Sequence, residues 1–225
     1  AGAERVRDET HHLFNTKFGG VKLLEGYGAT EAAPVVAVNH PDRNRPGSVG
    51  QMLPGLEWRT EPVEGITGGG RLFVRGPNVM RGYMSPDDPR VIEPLAGGWH
   101  DTGDIVDIDV DGYVCILGRV KRFAKIGGEM VSLAAVEGLA AAVWPESRHA
   151  VVSIPDSRKG EKLVLVTDRM DAESGRLSEW AREHGAPDLA VPKKIVRLAE
   201  VPVLGTGKTD YVGIQKLVEA EARAA

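Results

Sequence analysis

Four short segments carry side chains that a packed core has little use for, and each points to a kind of chemistry. The first is Tyr27-Gly28-Ala29-Thr30-Glu31. Gly26 and Gly28 let backbone approach a flat ligand, and the Tyr27 ring offers a stacking face. Thr30 and Glu31 offer oxygen atoms to a phosphate and to a hard metal ion. The same residues would also serve as a plain turn at a strand end. The second segment is Trp99-His100-Asp101-Thr102-Gly103-Asp104. An ionised carboxylate accepts two hydrogen bonds at once, which suits Asp104 to the paired hydroxyls of a sugar. Turn chemistry ahead of Ile105 accounts for it equally.

The third segment is Gly118-Arg119, followed by Lys121, Arg122 and Lys125 and then Gly127-Gly128-Glu129. Read alone, basic residues at a shift in composition make a solvated linker. The fourth is Leu204-Gly205-Thr206-Gly207-Lys208-Thr209, a lysine on a glycine-rich loop. It is not a P-loop, because Pro202 occupies the position where that motif needs its first glycine. His11-His12 lies on an expected exposed helix with no third ligand at metal spacing, which argues against a zinc site. Cys115, the one cysteine, can form neither an internal disulfide nor a multi-cysteine metal site. It reads as a small core residue, and a reducing compartment is the default.

The elements that must position these residues follow from periodicity. Val6, Leu13, Phe14 and Phe18 fit an amphipathic helix over 5–18 that stops at Gly19-Gly20. Val21–Leu24 reads as a short buried strand. From about 45 to 118 short strands are cut by Gly and Pro, most clearly at Leu72–Arg75, Ile105–Val110 and Tyr113–Leu117. Asp111-Gly112 predicts a two-residue hairpin between the last two, and 68–70 a loop. Beyond 122, Leu133, Val136, Leu139, Ala140 and Val143 repeat at helical spacing behind a Ser132 N-cap. Strands Ala150–Ile154 and Leu163–Thr167 follow. Then come a helix near 177–184 stopped by Gly185-Ala186-Pro187, a strand at Ile195–Leu198 and a helix over 212–222. The expected class is α+β: a twisted antiparallel β unit over 1–120 and a small α+β domain over 121–225.

Composition narrows the function. The 225 residues are 42% apolar and 27% charged, with 28 Gly and 14 Pro, as expected of a packed chain rich in turns. A net charge of −4 argues against a protein that coats nucleic acid. No run approaches the roughly 18 apolar residues of a membrane span. The chain starts at Ala1 rather than Met and reads as cut from something longer, so the lack of a signal peptide says little.

In order and spacing the four segments resemble the adenylate-forming superfamily of acyl-CoA synthetases, peptide-synthetase adenylation domains and luciferases. The resemblance covers essentially the whole chain. It implies the end of a large adenylating domain followed by a mobile C-terminal lid. ATP, with AMP as the leaving group, and Mg²⁺ would be the cofactors. Tyr27 would lie against adenine beside Gly28, Thr30 would bind the α-phosphate, and Glu31 would help hold Mg²⁺. Asp104 and Arg119 would fix the ribose. Lys208 would bridge the acyl carboxylate and the α-phosphate. Lys121 matches the hinge, where many members have Asp, and Asp210 stands where many have Arg. The 127–129 loop would face an incoming pantetheine.

A narrower likeness runs through 24–31, 76–80, 122–126, 129–133, 181–185 and 205–208. These segments resemble bifunctional bacterial enzymes that join a 2-acylglycerophosphoethanolamine acyltransferase to an acyl-[acyl-carrier-protein] synthetase. That implies a fatty acid substrate, acyl carrier protein as acceptor, and lysophospholipid reacylation at the cytoplasmic face of a bacterial inner membrane. Lys193, Lys194 and Arg197, with Arg119, Lys121, Arg122 and Lys125, would then offer a basic face to an acidic carrier. Coenzyme A is the alternative acceptor. A non-catalytic carrier-docking module is the alternative of another class, but it has no use for Thr30, Asp104, Arg119 and Lys208 together. The family's loop for the β- and γ-phosphates belongs upstream of residue 1, so the chain alone is expected to be inactive.

Overall fold

The computed structural model describes every residue except 3–5, 7, 20, 67 and 225, and the side chains of all the others except 8, 9 and 224. The chain divides into two compact units, Ala1–Val120 and Lys121–Ala225. It is a mixed α+β chain of open, largely antiparallel sheets.

The first unit opens with helix α1 (Asp8–Lys17) and a three-stranded antiparallel sheet of β1 (Gly26–Gly28), β2 (Val35–Val38) and β3 (Gln51–Met52). Strands β4 (Glu57–Glu61) and β5 (Gly70–Arg75) follow, then a separate hairpin of β6 (Gly82–Met84) and β7 (Ile92–Pro94). Strands β8 (His100–Ile108) and β9 (Val114–Arg119) complete a four-stranded sheet in the order β4-β5-β8-β9. The period of two decides its faces. Leu72 and Val74 point inward and are fully buried with Val36, Val106 and Val114, while Arg71, Phe73 and Arg75 take the other face. On that outer face the Arg59 guanidinium lies 4.4 Å from the Phe73 ring centre and Arg75 lies 4.7 Å from Trp99.

In the second unit, β10 (Phe123–Ile126) and β11 (Glu129–Ser132) form a hairpin that leads into α2 (Leu133–Val143). Next come β12 (His149–Asp156), β13 (Gly160–Thr167), α3 (Ser174–Glu183), β14 (Lys194–Arg197) and α4 (Tyr211–Ala224). The sheet order is β11-β10-β13-β12, with β14 added parallel to β13. Strands β12 and β13 are apolar on both sides because helices cover both. Val151, Leu163 and Leu165 join Val136, Leu139 and Leu177 from α2 and α3, whereas Val152, Ile154, Val164 and Val166 join Ile214 and Val218 from α4. Each such side chain contributes roughly 1.5–3 kcal/mol by leaving water. Ser132 caps α2 as expected: its Oγ accepts the Ala135 N–H at 3.2 Å.

Near the start of this unit, Glu137 gathers three partners. Its Oε1 accepts from Arg122 at 2.6 Å and from the Val151 N–H at 2.7 Å, and its Oε2 accepts the Tyr211 hydroxyl at 3.1 Å. Arg122 also donates to the Val151 carbonyl at 3.0 Å and lies 3.8 Å from the centre of the Tyr211 ring. One half-buried cluster thereby ties residue 122 to α2, to β12 and to the first residue of α4.

Several expectations change. Val21–Leu24 is not a strand, and Val21 is exposed; pairing of Gly26–Gly28 with β2 sets the strand instead. The Asp111-Gly112 hairpin has a longer loop than two residues, because Asp109 Oδ1 accepts the N–H groups of Asp111 and Tyr113, both at 2.9 Å. Arg45 braces that loop by bonding Asp109 and Asp111. The basic stretch after Gly118 contains the β10–β11 hairpin rather than only a linker. Cys115 is half-buried rather than in the core. His11 is not on a free face, since its Nε2 lies 3.0 Å from the buried Glu25 carboxylate. The expected helix begins later, at Asp8, and residues 5, 7 and 20 of that expectation lie outside the described residues.

Candidate functional site

The first unit brings together three of the expected residues. Antiparallel pairing of β8 with β9 sets Asp104 directly opposite Arg119. Arg119 Nε donates to Asp104 Oδ1 at 3.0 Å, and the Tyr27 hydroxyl donates to Asp104 Oδ2 at 2.5 Å. The Asp104 side chain is 6% exposed and that of Arg119 71% exposed, so the carboxylate is anchored inside while the guanidinium reaches solvent. A carboxylate has about four acceptor positions, and these two bonds leave capacity for hydroxyl donors.

Tyr27 is buried in the sheet core with Ala32, Val36 and Val106. The ring that the sequence offers as a stacking face is therefore 8% exposed, and its hydroxyl serves to hold Asp104. Burial, followed by the neighbouring Asp104 charge, pushes the Tyr27 phenol well above the ordinary tyrosine range. The folded-state value lies above the unfolded one, so the associated stability is intact below about pH 10 and lost as pH rises from there toward the folded value. Denaturant midpoints followed upward through about pH 10 are expected to fall more steeply for the wild type than for Tyr27→Phe; parallel curves would contradict this.

Gly28 is required by close approach. A Cβ there would stand 2.2 Å from the Pro34 carbonyl oxygen, which accepts the Ala29 N–H at 2.8 Å. This tight turn leads into a 3-10 turn, Thr30–Ala32, with Thr30 exposed and Glu31 half-buried. Two residues that sequence reasoning missed secure it. Asn78 donates to the carbonyls of Ala32 and Val35 at 2.8 and 2.9 Å, and the Tyr83 hydroxyl donates to Glu31 Oε1 at 3.1 Å. Asn78 lies within the 76–80 likeness segment, which was a usable signal; Tyr83 had none. Its own backbone N–H, opposed by burial and aided by Tyr83, keeps the Glu31 carboxyl below the usual range and so ionised.

Among the described residues no cluster of three or more His, Cys, Asp or Glu side chains could enclose a metal. Mg²⁺ keeps several waters and usually takes only one or two carboxylates plus phosphate oxygens, so the single ionised Glu31 fits such an ion. Lys208, in the second unit, is exposed on a tight loop closed by the Leu204 N–H to the Lys208 carbonyl at 2.7 Å. Lys121 is exposed where the second unit begins.

Residues 1–84 match the family model described as AMP-binding enzyme. The class that the fold and this match support is the adenylate-forming, AMP-binding superfamily, and the observed elements are those of its C-terminal part. Within that class the similarity runs to CoA ligases. The chain is 33% identical over 218 residues to 4-coumarate–CoA ligase-like 2 of Arabidopsis thaliana, covering 92% of this chain and 38% of that protein. It is 33% identical over 201 residues to the long-chain-fatty-acid–CoA ligase of Salmonella typhimurium, covering 85% and 35%. ATP-bound MatB from Rhodopseudomonas palustris superposes with a TM-score of 0.76 at 28% identity, covering 96% of this chain and 44% of that one. The chain thus spans about two fifths of the length of the curated relatives it matches. No helix among the described residues is long and apolar enough to cross a membrane.

Proposed function

We propose that this chain carries the ribose-binding cluster and the Lys208 loop of an ATP-dependent acid–thiol ligase. A fatty acid carboxylate attacks the α-phosphate of ATP, giving acyl-adenylate and pyrophosphate, and a thiol then displaces AMP to leave the thioester. The observation that carries this reading is the buried Asp104 carboxylate, held by Tyr27 and Arg119 with acceptor positions to spare for the ribose hydroxyls. Thr30 contacts the α-phosphate, Lys208 supplies positive charge to the acyl carboxylate and phosphate, and Lys121 is the pivot of the second unit. Glu31 holds Mg²⁺, which when bound neutralises phosphate charge.

Coenzyme A is the acceptor favoured by the relatives, which are themselves named CoA ligases. The second reading takes acyl carrier protein as acceptor, with lysophospholipid reacylation at the cytoplasmic face of a bacterial inner membrane. Exposed Lys193 and Lys121 favour it. The rest of the basic set is partly committed within its own unit. Arg122 bonds Glu137, Arg197 bonds the Ala172 carbonyl at 2.6 Å, and Lys194 lies 3.6 Å from Glu221.

The deciding experiment gives the whole protein ATP, Mg²⁺ and a fatty acid, with coenzyme A and holo acyl carrier protein in parallel, and follows products by mass spectrometry. Acyl-CoA is expected. Acylation of the carrier alone would transfer the conclusion to the second reading, and neither thioester would overturn both.

A further inference from the structure

Strand β8 is irregular where it presents Asp104. Against β5, Phe73 pairs with Asp101 and Arg71 with Ile105, so Thr102, Gly103 and Asp104 together face the single residue Leu72. Extra residues in one strand break the ladder locally and must be held by other bonds. Thr102 Oγ1 donates to the Leu72 carbonyl at 2.9 Å and accepts the Asp104 N–H at 3.1 Å. Asp101 Oδ1 accepts the Gly103 N–H at 3.0 Å and Arg71 Nε at 2.8 Å, and Arg71 Nη2 closes on Asp101 Oδ2. Gly103 has φ +69°, a conformation costly for other residues, which fixes where the chain turns.

We propose that Arg71 is a positioning residue for Asp104. Its guanidinium hydrogen-bonds Asp101 and no member of the Tyr27–Asp104–Arg119 cluster, so it acts through the turn. Fixing both Asp101 oxygens fixes the Gly103 N–H, and with it the direction in which the next residue enters the site. An exposed ion pair alone is worth little. This one is bidentate and continues into a backbone bond, which makes it a brace. Burial opposes ionisation of Asp101, yet the bonds from Arg71 and Gly103 hold its carboxyl below the usual range. The inference rests on reading Asp104 as the ribose carboxylate.

The test uses the whole protein, with AMP as probe, and compares wild type with Arg71→Met and Arg71→Lys. Two quantities are read: the AMP Kd by calorimetry and, without nucleotide, hydrogen exchange of the Gly103 amide by NMR. Arg71→Met is expected to weaken AMP binding about tenfold and to speed Gly103 exchange by about as much. Arg71→Lys is expected to recover part of both. Unchanged exchange overturns the brace, and faster exchange with wild-type AMP affinity overturns the positioning role. Should the wild type not bind AMP, the ribose reading fails, and Gly103 exchange by itself decides whether Arg71 holds the turn. If Arg71→Met does not fold, Arg71→Lys is measured in the same two ways, and the same outcomes overturn the brace or the positioning role.

Discussion

Lys208→Ala is expected to slow adenylate formation in the whole protein by about 10²–10³-fold, the usual cost of one preorganised charge contact. Thioester formation from supplied acyl-adenylate should stay close to wild type. The asymmetry follows from what the ammonium does. In the proposed reading the ammonium meets the negative charge that gathers between carboxylate and α-phosphate as ATP is attacked, and the thiol's later attack on the acyl carbon proceeds without it. The local structure keeps the experiment clean. Lys208 is exposed and forms no ion pair among the described residues, so its removal strands no partner. The loop is closed by backbone, through Leu204 to Lys208 and Gly207 to Leu204 at 2.8 Å, and Ala can make the same bonds. Pyrophosphate release and acyl transfer would be timed separately. Equal loss in both half-reactions would remove Lys208 from the adenylation step.

The second large effect is expected at Asp104. Asp104→Ala should weaken AMP binding by roughly 10²-fold, as losing charge-assisted bonds to a sugar would. It should also cost about 1–3 kcal/mol of stability, because the Tyr27 hydroxyl is left buried without an acceptor. The two losses can be separated. Adding Tyr27→Phe removes the stranded donor, so the double variant should regain stability but not AMP binding. Calorimetry and chemical denaturation of the same samples provide both numbers. Wild-type AMP affinity in Asp104→Ala would end the ribose assignment.

What the sequence made legible was whatever local periodicity controls. Ser132 and the spacing of Leu133, Val136, Leu139 and Ala140 located α2 because one stripe faces one core. The apolar runs at 150–154 and 163–167 marked strands because helices cover both faces. The β10–β11 hairpin was missed although Phe123–Ile126 alternates, since the run is only four residues long, turns just Ala124 and Ile126 inward and carries basic neighbours. The strand at Gly26–Gly28 was hidden because two of its three residues are glycines, and partner pairing overrode propensity. The contact between Tyr27 and Asp104 spans 77 positions, which no spacing rule reaches. Resemblance named those residues, but it gave Tyr27 the adenine and not the hydroxyl bond. Arg71 and Tyr83 stayed unread because their partners, Asp101 and Glu31, lie far along the chain.

The Glu137 cluster has a mechanical corollary. From Arg122 onward the backbone is bolted to strand β12, helix α2 and the ring that opens α4, three residues beyond Lys208. If Lys121 is the pivot, this anchoring begins one residue past it. A swivel there would carry the Lys208 loop around like the handle of a crank, with no slack between axle and grip.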